Sequence, residues 1–169
     1  MFEVNDMVLY GTNGVCELIG IEKRDCGGKM VEYYILKPFY TSNSTVFVPV
    51  NNPKLTSKMR YVLTKEEIHR MIRSIPENRP EWTEDERARK EKFKDITGRA
   101  DTFELIRLIG ALLEHQREVV ERGKKLHIAD ERMLREAEKM ICDEFAYVLG
   151  ISQEEVADYI TRELEAAVK

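Results

Sequence analysis

Catalysis needs reactive side chains that converge, and in this 169-residue chain the reactive ones are few and scattered. Three histidines, His69, His115 and His127, lie far apart, with no G-x-S-x-G, H-E-x-x-H or Walker lysine to organise a nucleophile, a metal or a phosphate. Cys16, Cys26 and Cys142 form neither a C-x-x-C pair nor a Cys/His cluster, which argues against structural zinc and against a disulfide framework. Reduced thiols in a cytosolic setting are the plain reading. "GTNG", Gly11 to Gly14, reads as a turn between strands and is too short for a phosphate cradle. His69 and His115 fall on charged helices and read as solvated, and the carboxylates of "EDER" and "DERMLREAE" read as exposed, salt-bridged helix faces. No catalytic residue, metal ligand or cofactor is expected.

Two stretches could act by contact instead. "IPENRPEWTEDERARK", residues 75–90, holds the only tryptophan, Trp82, in a run that is otherwise proline and charge. Trp82 either staples onto the following helix as the residue before its cap, toward Phe93 or the helix bundle, or presents its ring to a base step, flanked by Arg79, Arg87, Arg89 and Lys90. The second stretch, "STVFVPV", is β-branched and aromatic with no charge to discourage pairing. It either adds to a partner's sheet as an edge strand, or buries Val46 and Val48 while Phe47 covers a helix.

The elements that must position these stretches differ along the chain. All five prolines and five of nine glycines lie in the first 80 residues. From Met7 to Leu63, period-two apolar runs ("MVLY", "GVCELIGIE", "MVEYYILKP", "STVFVPV", "MRYVL") alternate with turn chemistry. They predict five short strands in a bent antiparallel barrel or roll, with Val15, Ile19, Ile21, Tyr33 and Ile35 as alternating core positions. From Thr64 onward the capping patterns "TKEE", "TEDE", "DTFE" and "SQEE" mark helix starts, and a fifth helix begins near His127 after Gly123 closes the one before it. Apolar stripes through Leu105–Val119, Met133–Val148 and Val156–Leu164 suit a helical bundle. The fold class is therefore α+β: a small β domain over 1–63, a helix and linker over 64–81, and a helical domain over 82–169.

Charge restricts the partners. The chain carries 27 Lys and Arg against 31 Asp and Glu, and neither part is strongly basic, which excludes a free-standing nucleic-acid binder. Any contact with DNA must be local and helped by a partner. The N-terminus lacks the charged and apolar regions of a signal peptide, and no run approaches the ~18–20 apolar residues of a membrane span, so a cytoplasmic protein without membrane contact is expected.

The order of the parts resembles a known family. "FEVNDMVLYGTNGVCELIGIEKR", with Phe2, Asp6, Val8, Tyr10 and Gly14 in register, is similar to the F-x-x-G-D-x-V-x-Y opening of the CarD/CdnL bacterial transcription regulators. The likeness continues through "EYYILKP", "STVFVPV", "MRYVL", the tryptophan and "RMLREAEKMICDEFAYVLG", and so spans essentially the whole chain. It implies a Tudor-like N-terminal domain that binds the RNA polymerase β subunit, a module shared with transcription-repair coupling factors. It also implies a helical domain that touches promoter DNA at the upstream edge of the bubble and stabilises the open complex. The family's polymerase contact maps onto Arg24, Thr45, Val46 and Phe47, and its DNA wedge onto Trp82, with Arg79, Arg87, Arg89 and Lys90 nearby; a monomer is expected. Three departures stand out: Asn5 where the family has glycine, "TEDE" rather than arginines after the tryptophan, and Phe47 where some members carry arginine. Asparagine tolerates a positive φ, so the first turn can survive. The alternative reading is a protein-interaction adaptor that uses the sheet edge and has no role on DNA.

Overall fold

The computed structural model describes residues 1–41, 43–78, 80–99 and 101–168, without the side chains of Thr12 and Val168. The chain divides into two units, Met1–Leu63 and Thr64–Lys169.

In the first unit, strands β1 (Met7–Tyr10), β2 (Val15–Asp25), β3 (Met30–Pro38), β4 (Val46–Pro49) and β5 (Met59–Tyr61) form one antiparallel sheet in the order β4-β3-β2-β1-β5. A one-turn helix, α1 (Pro53–Thr56), capped by the Asn52 side chain, joins β4 to β5. Asn5 takes a φ of 77°, as its side chain permits, and its N–H donates to the Leu18 carbonyl. The entry turn thus survives without glycine.

The buried face is built from Val8, Tyr10, Cys16, Leu18, Tyr34, Leu36, Val48 and Met59. This corrects the predicted alternation. Val15 and Ile35 are buried, but Ile19 and Ile21 are 44% and 37% exposed and Tyr33 is only partly covered. The core side is the even-numbered one: Cys16 and Leu18 of β2 and Tyr34 and Leu36 of β3 face it, and alternation turns Tyr33 and Ile35 to the face that carries Phe47, with which Ile35 pairs. In β2, Leu18 pairs with Leu36 and Gly20 with Ile35, so Ile19 is an extra, bulged residue; beyond it Ile21 stands opposite Tyr34, where the strand runs out to solvent.

The second unit holds α2 (Lys65–Ser74), α3 (Glu86–Arg99), α4 (Thr102–Glu121), α5 (Ile128–Leu149) and α6 (Val156–Val168). Their starts follow the caps written in the sequence, with one exception. Thr64 and Ser152 each form a full capping box with Glu67 and Glu155, and the Asp101 carboxylate accepts the Glu104 N–H. α4 ends where Gly123 at φ 73° and Lys124 return their N–H groups to Val120 and Val119, the left-handed closure that glycine permits. The exception is "TEDE", whose helix begins at Glu86 rather than beside Thr83. Ile68, Ile72 and Ile75 of α2 and its end pack with α4, α5 and α6, around Ile106, Ile109, Ile141, Phe145 and Ile160. Among the described residues no helix is long and apolar enough to cross a membrane.

Candidate functional site

β4 pairs with β3 on one side only and so ends the ladder. Val48 is fully buried and Val46 packs against the same core, so alternation turns Phe47 to the opposite face, where it is 39% exposed. The guanidinium carbon of Arg24 lies 4.2 Å over its ring, and Tyr33 meets it edge-on at 6.5 Å. A cation over an exposed ring is worth about 0.5–1 kcal/mol. Arg24 also reaches Glu22 at 3.3 Å, and Thr45 just before the strand is exposed. The Tyr33 hydroxyl and the Cys26 thiol share a hydrogen bond of 3.2 Å, which raises the phenol above its usual pKa. Arg24, Phe47 and Tyr33 thus form one polar-edged aromatic surface drawn from three strands, beside the outer edge of the sheet.

Trp82 is built into the helical unit rather than left standing from it. Its ring stacks on His115 of α4, with 3.7 Å between centroids and 13° between planes, and the guanidinium carbon of Arg89 lies over it at 4.7 Å. The expectation that His115 is a solvated surface histidine is thereby corrected, and so is the same reading of His69, which stacks on and hydrogen-bonds Tyr159 of α6. Helix charge misled in both cases, because each imidazole occupies the one face of its helix that meets an aromatic neighbour.

Arg89 explains the late start of α3. Its Nε and Nη2 donate to the two carboxylate oxygens of Asp130, both at 2.9 Å, and its Nη1 donates to the carbonyls of Thr83 at 2.8 Å and Glu84 at 3.0 Å. Those carbonyls would otherwise open the helix. Instead the Asp85 carboxylate accepts the Arg87 N–H, and α3 follows from Glu86. The Arg89 side chain is only 13% exposed and Asp130 only 1%. The expectation of a free cation beside the tryptophan therefore does not hold for Arg89: every one of its nitrogens is engaged within the fold. Asp130 stands in the first turn of α5, where a carboxylate is favoured by the helix dipole.

Of the other expected cations, Arg87 and Lys90 are outward. Arg87 is 89% exposed and lies 3.7 Å from Glu91, while Lys90 bonds Glu86 at 2.6 Å. That bond, with the charge of Lys90 behind it, holds the Glu86 carboxyl below the usual carboxylate range, and His127 approaches the same group at 3.4 Å. Glu86 is thus partly answered by cations, and the acidic stretch after Trp82 is less repulsive than its sequence suggests. Arg87 and Lys90 line a groove between α3 and α5 together with Lys94 of α3 and Arg132 of α5, and Arg132 could not be singled out in the sequence because only the packing of the two helices brings it there. Arg79 lies outside the described residues. Among the described residues, no group of His, Cys, Asp or Glu could hold a metal ion.

Two family models match this chain. The CarD-like/TRCF RID domain matches residues 2–63 and the CarD C-terminal domain matches residues 76–161. No curated protein matches it.

Proposed function

The chain belongs to the CarD family, and so is an RNA polymerase-interacting transcription regulator; from that premise we propose that it docks on the polymerase β subunit through β4 and stabilises the promoter open complex through Trp82. The observation that carries the docking half is Phe47 under Arg24 on an edge strand. Edge backbone supplies hydrogen bonds to an added strand, and the exposed ring and its cation supply selectivity. Thr45 and Val46 complete the contacting segment.

The DNA half follows from charge. A chain with net charge −4 gains little from free duplex, because non-specific binding is bought with cations. Docking converts a feeble contact into an intramolecular one at high effective concentration. The helical unit then need supply only stacking by Trp82 at the upstream edge of the bubble, with Arg87 and Lys90 toward phosphate. Stacking of one base on an aromatic ring contributes about 1–3 kcal/mol, which slows collapse of the open complex roughly 5- to 150-fold. This is regulation without catalysis, by a cytoplasmic monomer whose partners are polymerase and promoter DNA.

One observation favours a second reading: Trp82 already stacks on His115, as an anchor within an adaptor would. Oxidative footprinting of Trp82 on polymerase, with and without promoter DNA, separates the two. The docking test is calorimetric titration of the full chain into the isolated β lobe. One-to-one binding that Phe47→Asp weakens at least tenfold supports the proposal, in line with the roughly 1.4 kcal/mol per decade that such a contact supplies. Equal affinity of the two proteins removes β4 from it.

A further inference from the structure

All three guanidinium nitrogens of Arg89 are engaged within the fold. The guanidinium ties three parts of the helical unit to one plane: its own helix α3, the first turn of α5 through Asp130, and the backbone of Thr83 and Glu84 immediately after Trp82. The same group lies over the indole, whose ring rests on His115. A buried ion pair is a poor device for stability alone, since apolar side chains of similar volume serve as well or better. What a planar fork provides is geometry, because its donors fix direction as well as distance.

We infer that Asp130, acting through Arg89, is a positioning residue for the contact of Trp82 with DNA. The pair fixes the backbone after Trp82 and the plane of its ring before DNA arrives, so the ordering cost of the contact is met during folding. Arg89 is then a strut and not a phosphate ligand. The inference rests on the DNA-contact reading of Trp82 proposed above.

Trp82 is the only tryptophan, so the indole emission of the full chain reports this site alone. Two variants probe the pair. Asp130→Asn keeps the shape and removes the charge; Arg89→Lys keeps the charge and removes the fork. With the far-ultraviolet circular dichroism retained, both are expected to raise acrylamide quenching of Trp82 about two-fold, as for a ring that loses the group covering it. Both are expected to shorten the open-complex lifetime on polymerase, but to shorten it no further once Trp82→Ala is present, because residues acting as one unit do not add.

Quenching unchanged in both variants would make the pair a tie between helices and overturn the inference. So would a lifetime loss for Arg89→Lys that adds in full to that of Trp82→Ala, since a phosphate ligand acts independently of the ring. A shortened lifetime for Trp82→Ala with none for the pair variants defeats positioning alone. An unchanged lifetime for Trp82→Ala defeats the DNA-contact reading itself and the purpose assigned to the pair with it. If Asp130→Asn leaves the buried cation too costly and the unit unfolds, Asp130→Glu retains the charge, displaces the fork and carries the same two readouts.

Discussion

Gly110 of α4 faces Ile75 at the end of α2 so closely that a β-carbon there would stand 2.6 Å from Ile75 Cγ2. A branched methyl on a fully buried residue cannot swing aside as the end of a long chain can. Glycine inside a 20-residue helix costs about 1 kcal/mol in propensity, so this site gives up helix stability for close approach. Gly110→Ala is expected to lower stability by about 1–2 kcal/mol, the overpacking loss exceeding the propensity gain. Denaturant unfolding measures it, and a neutral or stabilised variant would show that Ile75 gives way.

At the sheet edge, Arg24→Ala removes the cation over Phe47 and leaves the ring in place. Affinity for the β lobe is expected to fall about 2- to 5-fold, the equivalent of ~0.5–1 kcal/mol, with the melting temperature unchanged because the side chain is half exposed. A loss as large as that of Phe47→Asp would mean that the guanidinium itself, not the ring, makes the contact.

Removal of the tryptophan ring acts on stability as well as on DNA. Because the indole is partly buried between His115 and Arg89, Trp82→Ala is expected to destabilise the helical unit by about 1–2 kcal/mol, below the full cost of a core aromatic. An unchanged melting temperature together with a shortened open-complex lifetime would show that the ring's contacts with His115 and Arg89 contribute nothing to the fold.

Two carboxylates on the α5–α6 side give opposite pH signatures. Glu155 accepts the Ser152 N–H at 2.8 Å, and that bond, reinforced by the Ser152 side chain, holds its carboxyl below the usual value near 4.5. A depressed folded-state pKa lends stability that is complete above the usual value and lost as pH falls through the folded one. Glu138 is the reverse: burial, then the charge of Asp158, push its carboxyl up, so its contribution is complete in acid and lost as pH rises through the raised value. Near neutral pH, Glu155→Gln should therefore lower the melting temperature and Glu138→Gln should raise it. Both differences should shrink in acid, and a Glu138→Gln effect that persists there would point to packing rather than charge.

The parts that could be read in the sequence are those set by neighbouring residues. Thr64, Asp101, Ser152 and Gly123 act within three or four residues of themselves, so their caps and closures appear in the structure as written. Turn residues between alternating apolar runs likewise marked five strands at the observed places. The core face of β2 and β3 was not legible, because Val15 and Cys16, and Tyr34, Ile35 and Leu36, are apolar in succession and alternation cannot choose between them, while the bulge at Ile19 depends on what the partner strand offers.

At the candidate sites the same division holds. Sequence alone determined an α+β chain and the family to which it belongs. Only the tertiary structure decided that Phe47 lies under Arg24, that His115 supports Trp82, and that Arg89 faces inward to Asp130, 41 residues away. Charge and periodicity describe how a residue meets solvent and its own helix, whereas a buried ion pair or a stacked ring is created by a second element whose position no local pattern encodes.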